Sequence, residues 1–173
     1  MLRDYFLISL LTGARRSNVQ AMQWSDIHLE RGEWRIPITK NGDSQTVTLT
    51  AEVVEILRAR QCNNSTWVFP GTGATGHLVE PKKTWKRILE RAGISNLRIH
   101  DLRRTLGSWQ AKTGASLVIV GKSLNHKSPS TTAIYARLDL DPVRESVDRA
   151  TGAMLVAAGL KESAEVVSFK RKK

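Results

Sequence analysis

Residues 26–50, DIHLERGEWRIPITKNGDSQTVTLT, decide the fold class, because they interrupt a sequence that is otherwise helical in pattern. The segments DIHLE, GEWRIPIT and SQTVTLT are rich in β-branched residues and partly alternate in polarity, which is typical of strands. Asn41-Gly42 between the last two segments favours a tight hairpin turn, since such turns require positive φ. This stretch predicts a small three-stranded antiparallel sheet with Lys40 at or beside its second turn.

Helical patterns lie on both sides of this predicted sheet. The apolar residues before Gly13 repeat with helical spacing, and Gly13 is well placed to end that first helix. Ser17 is placed to cap a short second helix. Further helices are predicted at 51–60, 81–92, 101–113, 116–124 (short and buried) and 141–159. The fold class is therefore α+β and mostly α-helical, with one small three-stranded antiparallel sheet near the N-terminal third.

Charge is the strongest global signal in the 173 residues, with 27 Lys and Arg against 16 Asp and Glu and a net charge of +11. Such an excess attracts polyanions and indicates nucleic acid, an anionic membrane or an acidic partner. No apolar run approaches the length of a membrane-spanning helix, which makes the membrane the weaker choice. The single cysteine, Cys62, excludes an internal disulfide and fits a reducing cytoplasm.

The segment 124–137, LNHKSPSTTAIYAR, places a tyrosine nine residues after a histidine. Ser130 can cap a helix, which would put Tyr135 in its second turn and His126 in the loop before it. The two rings could share a polar cleft, or they could be a capping-loop residue and a core aromatic. The segment by itself favours the second interpretation.

Arg15, Lys40, His100 and Arg103 are the other residues suited to chemistry. Arginine donates two parallel hydrogen bonds to phosphate oxygens and stays charged, and histidine exchanges protons near neutral pH. Each residue also has a simpler interpretation: a helix-end cap for Arg15, a solvated turn residue for Lys40, and a helix-start pair for His100 and Arg103. Spacing and composition by themselves predict a basic domain that binds DNA or phosphate.

Taken in order, five short motifs resemble those of the tyrosine recombinases, the phage integrase family. They run from about residue 3 to residue 140 and include a first arginine box, TGARRSNV, of the style found in integrases of prophages and genomic islands. The motifs are Thr12-Gly13-Ala14-Arg15, Thr39-Lys40-Asn41-Gly42, His100-Asp101-Leu102-Arg103-Arg104-Thr105, Leu124-Asn125-His126-Lys127-Ser128 and Ile134-Tyr135-Ala136.

The resemblance implies a cationic site around one DNA phosphate. Arg15 and Arg103 match the pair that clamps the scissile phosphate. His100 matches the general acid/base residue, and His126 matches a second histidine that donates a hydrogen bond to a phosphate oxygen. The resemblance also implies that this site needs neither a metal nor a nucleotide cofactor.

Two further positions match the residues that make and break bonds in the family. Tyr135 matches the nucleophile that forms a 3′-phosphotyrosyl link, and Lys40 matches the general acid that protonates the departing 5′-hydroxyl. Two positions depart from the family pattern: Asn18 stands where an acidic residue is frequent, and Asn125 stands where glycine commonly precedes the second histidine. Asparagine also tolerates positive φ, so the loop at Asn125 can keep its shape.

The implied domain organisation is a catalytic domain over residues 1–140 and a C-terminal helix with a basic tail over 141–173. That last segment either packs on its own domain or docks on a neighbouring protomer. The family's N-terminal DNA-clamping domain is expected to be absent from this chain. The implied partners are double-stranded DNA at attachment sites, further protomers in a tetramer, and accessory DNA-bending proteins, in a bacterial or phage-encoded cytoplasmic protein. Candidate contacts to DNA phosphates are Lys82, Lys83, Lys86, Arg87 and Arg98.

These observations favour a DNA strand-exchange enzyme of the integrase type. Two alternatives stay open at this point: a non-catalytic DNA-binding remnant of an integrase, and a relaxase of supercoiled DNA similar to the type IB topoisomerases, which share the chemistry.

Overall fold

The structure, a computed structural model, describes residues 1–39, 42–61, 65–137 and 141–159. It divides into two compact units, Met1–Leu138 and Asp139–Lys173. In chain order the elements are α1 (Leu2–Thr12), α2 (Arg16–Gln20), a 3₁₀ helix (Trp24–Asp26), β1 (Ile27–His28), β2 (Glu33–Ile36), β3 (Gln45–Thr48), α3 (Ala51–Arg60), α4 (Lys82–Ala92), α5 (Asp101–Lys112), α6 (Leu117–Ser123), α7 (Pro129–Thr132), a second 3₁₀ helix (Ala133–Arg137) and α8 (Asp141–Ala157).

The predicted three-stranded antiparallel sheet is confirmed, in the order β1-β2-β3. Trp34 and Ile36 on β2 and Val47 on β3 are buried, and the alternate residues of β3 are exposed, so one face of the sheet covers the core. The β2–β3 connection is longer than the predicted tight turn, because Ile36 pairs with Gln45 and leaves residues 37–44 between the strands. Lys40 and Asn41 lie outside the described residues.

The main core lies where α1, the sheet and α3 meet. Tyr5 and Ile8 from α1, Trp34 from β2 and Leu57 from α3 are almost fully buried there. The Tyr5 ring meets the Phe69 ring edge-on, with centroids 5.5 Å apart. This packing fixes the C-terminal end of α1, from which the chain turns at Gly13 toward Arg15.

The first helix boundary is confirmed, and the second is shifted. Gly13 ends α1 in the left-handed conformation, with φ 60°. The predicted cap at Ser17 was wrong, because Arg15 is the N-cap residue of α2, and its backbone carbonyl accepts hydrogen bonds from the amides of Asn18 and Val19. The helix therefore starts at Arg16 and ends at Gln20.

The expectation that α6 is a buried helix was wrong in part. Val120 is fully buried, but Leu117, Val118 and Ile119 are exposed over 38%, 68% and 56% of their surfaces. A helix of two turns that packs by one face leaves its other apolar side chains facing outward. The apolar run of this segment therefore did not mean burial on every side.

The helix before Tyr135 begins earlier than Ser130. Proline favours the first position of a helix because its φ is already helical, and Pro129 takes that position with Ser128 as the N-cap. The Ser130 hydroxyl instead makes a hydrogen bond of 2.7 Å with the Ser128 hydroxyl. Tyr135 then lies on the 3₁₀ helix that continues α7.

The second unit contains α8, which begins at Asp141 as predicted. Met154 on this helix is exposed over 71% of its surface. Among the described residues, no helix is both long enough and apolar enough to cross a membrane.

Candidate functional site

Arg103 is the buried centre of the site, with only 5% of its surface exposed. It lies in the first turn of α5, and its guanidinium donates from Nη1 to the carbonyl oxygen of Gly13 at 2.7 Å and from Nη2 to that of Leu124. Burial first, and the charge of Arg15 second, lower the Arg103 pKa to about 10. Arg103 is therefore still a cation at neutral pH, and it joins the ends of α1 and α6 to the start of α5.

Arg15 approaches the same place from the junction of α1 and α2. Its Nη2 donates to the carbonyl oxygen of Asn125 at 3.0 Å. Its Nη1 is buried and has no hydrogen-bond partner among the described residues. A buried guanidinium donor without an acceptor is costly in a protein interior. An anion that entered the site could remove this cost.

His126 lies in the loop after α6 and faces the two arginines. Its backbone amide donates to the Gly121 carbonyl oxygen at 2.9 Å, and its Nδ1 is in hydrogen-bond contact with the Thr132 hydroxyl at 2.9 Å. Burial lowers the His126 pKa, and the charges of Arg103 and Arg15 lower it further. The imidazole is therefore neutral at pH 7.

His100 stands at the N-cap of α5, one turn before Arg103. Although His100 is an exposed residue, the protein around its ring removes part of its hydration, which lowers its pKa. The charges of Arg103 and Arg104 act in the same direction. The charge of His100 in turn disfavours the charged form of His126, so the two imidazoles belong to one electrostatic cluster.

Tyr135 is 4% exposed and stacks on His126, with ring centroids 6.4 Å apart and an interplanar angle of 5°. It packs with Val120 and Leu124 in a small apolar cluster. Burial raises the Tyr135 pKa, and the nearby charges of Arg103 and Arg104 partly oppose that rise. The phenol is therefore protonated at neutral pH, and it belongs both to an apolar cluster and to the cationic site.

The structure thus brings five of the six residues predicted for catalysis around one place, and the sixth, Lys40, lies outside the described residues. The residues predicted to contact DNA lie on α4 and just before α5. They are exposed, and three of them have acidic neighbours, in the pairs Lys82–Glu80, Lys86–Glu90 and Arg98–Asp101. The complete set is Lys82, Lys83, Lys86, Arg87 and Arg98.

Two residues of the site were missed by the sequence reasoning. Thr132 is buried and in contact with His126, whereas the sequence of the Ser-Thr-Thr run before Tyr135 indicates only a capping role. Gly107 on α5 lies against Tyr135: a Cβ added there would be 2.7 Å from the tyrosine Cζ and 2.9 Å from its hydroxyl oxygen. Nothing in the local sequence of α5 marks Gly107, because its neighbour comes from a segment 28 positions later.

Two guanidinium groups, two neutral imidazoles and a phenol form a site suited to a phosphodiester. The arginines can hold the phosphate oxygens and stabilise extra negative charge, the imidazoles can accept or donate protons, and the phenol can act as a nucleophile. This combination is typical of a site for phosphodiester chemistry with a tyrosine nucleophile.

The chain belongs to the phage integrase family, whose model matches residues 1–141. It is 30% identical over 164 residues to prophage integrase IntF of Escherichia coli K12, covering 90% of this chain and 35% of that protein. The fold is similar to that of XerH site-specific recombinase bound to difH substrate, with a TM-score of 0.68 and 23% identity over 83% of this chain and 44% of that one. It is also similar to the catalytic domain of bacteriophage HP1 integrase, with a TM-score of 0.63 and 20% identity over 92% and 84% of the two chains.

A Gly107→Ala substitution should destabilise the domain and displace Tyr135. The added Cβ overlaps the tyrosine ring, and overpacking of this kind costs about 1–3 kcal/mol, against about 1 kcal/mol gained from replacing a helical glycine. Urea denaturation should show a lower midpoint. Gly73→Ala is the matched control, since a Cβ there meets no atom within 4 Å. A higher midpoint for Gly107→Ala than for the unaltered chain would contradict the packing described here.

An Arg15→Gln substitution should raise the His126 pKa toward its ordinary value of 6.5, because it removes one of the charges that disfavour the imidazolium. NMR titration of the ring protons measures this shift, and Arg31→Gln, an exposed arginine outside the site, should not produce it. In the unaltered chain the His126 pKa is higher in the unfolded state than in the folded state, so the unfolded state takes up the proton more readily. The free energy of unfolding should therefore fall as the pH drops below about 6.5 toward the folded pKa. An unchanged His126 titration in Arg15→Gln would contradict the placement of Arg15.

Proposed function

We propose that this chain is the catalytic domain of a site-specific DNA recombinase of the integrase type, which cleaves and rejoins DNA strands through a 3′-phosphotyrosyl intermediate. The observation that carries the proposal is the convergence of Arg15 and Arg103 beside His126 and Tyr135, with a buried Arg15 donor that has no acceptor among the described residues. Membership of the phage integrase family supports the same conclusion.

Double-stranded DNA is the proposed substrate. The net charge of +11 favours a polyanion, and α4 presents an exposed basic surface. XerH, whose fold is similar, was solved with its difH substrate bound. The proposed phosphate contacts position DNA without specifying its sequence, so binding through them should weaken steeply with salt. The residues proposed for these contacts are Lys82, Lys83, Lys86, Arg87 and Arg98.

The arginines would bind the scissile phosphate before any bond changes. Arg103 is held by two backbone carbonyls, so its guanidinium keeps a fixed position beside the site. Arg15 supplies the buried Nη1 donor, which a phosphate oxygen could satisfy. His126, held at Nδ1 by Thr132, would donate a hydrogen bond to another phosphate oxygen through its second ring nitrogen. A charge fixed in this way stabilises the transition state without reorganising during the reaction.

In the cleavage step, the Tyr135 hydroxyl oxygen attacks the phosphorus and forms a phosphotyrosyl bond, while the bond from phosphorus to the 5′ oxygen breaks. His100, neutral at pH 7, accepts the phenolic proton, and Lys40 gives a proton to the departing 5′ oxygen. Attack by a 5′-hydroxyl on the phosphotyrosyl bond reverses these steps and joins the strands. The energy of the broken bond is kept in the tyrosyl link, so the cycle requires no nucleotide.

The burial of Tyr135 is consistent with a nucleophile that stays inactive until DNA binds. The phenol is stacked on His126, and burial raises its pKa, so the DNA-free chain holds the nucleophile in its unreactive form. Movement of the short helix that carries Tyr135 would deliver the phenol to the phosphate.

We propose further that residues 1–140 form the catalytic domain, and that the 141–173 segment docks on a neighbouring protomer in a tetramer on DNA.

The test is covalent capture on a pool of nicked DNA duplexes randomised around the nick. Loss of the short 5′-hydroxyl fragment traps the intermediate, so the chain, or a longer protein that contains it, should form an adduct that survives denaturation. Tyr135→Phe should abolish the adduct. Tyr5→Phe, which alters the core tyrosine, is the matched control and should retain it.

The captured sequences separate the remaining possibilities. Enrichment of one sequence supports a site-specific recombinase, and adducts without enrichment support a relaxase of the type IB kind. Salt-sensitive DNA binding without any adduct, unchanged in Tyr135→Phe, would overturn the catalytic assignment and favour a non-catalytic DNA-binding protein.

A further inference from the structure

Thr132 is a buried polar residue beside the cationic site, with 2% of its surface exposed. Its hydroxyl oxygen lies 2.9 Å from His126 Nδ1, and within the described residues this is the hydrogen bond that the side chain makes. Other threonines in helices or at their ends donate to the carbonyl oxygen four residues earlier, at distances of 2.6, 3.0 and 2.9 Å for Thr12, Thr105 and Thr113. The hydroxyl of Thr132 instead contacts the ring of His126.

The approach of Thr132 to His126 depends on a buried glycine in α6. A Cβ added at Gly121 would lie 3.1 Å from Thr132 Oγ1 and 3.8 Å from Thr132 Cγ2. The Gly121 carbonyl oxygen also accepts the His126 backbone amide at 2.9 Å. A threonine side chain is branched at Cβ and has a restricted χ1 angle, so packing against Gly121 holds the hydroxyl in one place. Gly121 thus positions both partners of this hydrogen bond.

The direction of the hydrogen bond between Thr132 and His126 decides what the imidazole can do. The lowered pKa of His126 keeps the ring neutral at pH 7, and a neutral imidazole carries hydrogen on one nitrogen only. If Nδ1 donates to the threonine oxygen, Nε2 has a lone pair and can only accept. If the threonine hydroxyl donates to Nδ1, Nε2 carries the hydrogen and can donate to a phosphate oxygen.

The burial of Thr132 favours a hydrogen bond that its hydroxyl donates. A buried donor without an acceptor costs free energy, and an acceptor with an unfilled lone pair is tolerated more often. If the hydroxyl accepted from Nδ1, its own hydrogen would have no acceptor among the described residues. Donation to Nδ1 satisfies that hydrogen and leaves only a lone pair of the oxygen unfilled.

The chemical type of the side chain at position 132 fits the same direction. A carbonyl or carboxylate beside Nδ1 can only accept, so it holds the hydrogen on Nδ1 and leaves Nε2 as a base. A hydroxyl can donate, and it adds no negative charge that would compete with a phosphate for the arginines. A phosphate oxygen offers only lone pairs, so a neutral histidine that binds it needs a donor at its other nitrogen.

We infer that Thr132 is a positioning residue that donates its hydroxyl hydrogen to His126 Nδ1 and so keeps the ring hydrogen on Nε2, available to a phosphate oxygen. This inference rests on the proposed function. It gives the two histidines different roles, with His126 as a hydrogen-bond donor and His100 as the proton acceptor. Because Thr132 lies three residues before Tyr135 on one helical segment, the segment that carries the nucleophile also sets the tautomer of His126.

Long-range ¹H–¹⁵N NMR of the DNA-free chain at about pH 8, where the rings are neutral, shows which ring nitrogen carries hydrogen. His126 should carry it on Nε2, with its signals assigned by their loss in His126→Gln. Thr132→Val removes the donor, so the Nδ1 signal should move to lower shielding, as it does when a nitrogen stops accepting a hydrogen bond. Thr132→Ser keeps the hydroxyl and should keep the original signals. A hydrogen on Nδ1 in the unaltered chain, or an unchanged Nδ1 signal in Thr132→Val, would overturn the inference.

The rate of adduct formation on a nicked duplex of a sequence captured above gives the functional readout. Thr132→Val should react about 10-fold more slowly, a part of the 10²–10³-fold that one donor to developing charge supplies, and Thr132→Ser should stay within about 3-fold of normal. Thr131→Val is the matched control, since it makes the same change at the exposed neighbouring residue, and it should alter neither the rate nor the ring signals.

A double variant tests whether Thr132 acts through the imidazole. Thr132→Val combined with His126→Gln should be no slower than His126→Gln by itself. Additive losses, or equal losses in Thr132→Val and Thr132→Ser, would overturn the positioning role while the adduct of the unaltered chain upholds the proposed function. If the unaltered chain forms no adduct, the proposed function fails and the role at the phosphate fails with it, whereas the NMR spectrum still decides the direction of the hydrogen bond.

Discussion

The buried Arg103 guanidinium is the constraint on which the rest of the site depends. It donates to the carbonyl oxygens of Gly13 and Leu124, and so ties the ends of α1 and α6 to the start of α5. These carbonyls belong to or adjoin residues with left-handed backbones, Gly13 and Asn125, where the chain turns. Without the Arg103 guanidinium, both carbonyls would lose this donor, and the loop that carries His126 would lose one of its anchors.

Burial and positive charge together set the protonation states of the site. Both act to keep the imidazoles of His100 and His126 neutral, which suits groups that must accept or donate a proton near pH 7. They act in opposite directions on Tyr135, where burial prevails and the phenol stays protonated. A bound phosphate would add negative charge near the arginines and favour the charged imidazoles, so binding of the proposed substrate would be coupled to proton transfer.

Local signals in the sequence were enough to predict the sheet, the end of α1 at Gly13 and the start of α8 at Asp141. They could not give the length of the β2–β3 connection or the exposed side chains of α6, because both depend on contacts between distant segments. The hydroxyl of Ser130 favours a cap there, but Pro129 at the first helical position places the cap at Ser128. The gathering of Arg15, His100, Arg103, His126 and Tyr135 was anticipated from ordered motifs, whereas Gly107 and Thr132 emerge only when helices pack.

The proposed function requires a covalent bond between Tyr135 and DNA. Mass spectrometry of tryptic peptides from the captured adduct identifies the modified residue, since the two tyrosines of the chain fall in different peptides, one ending at Arg15 and one spanning residues 128–137. We expect a nucleotide joined through its 3′ phosphate to Tyr135 in the 128–137 peptide. A nucleotide on Tyr5, on a serine of that peptide or on any other residue would contradict it.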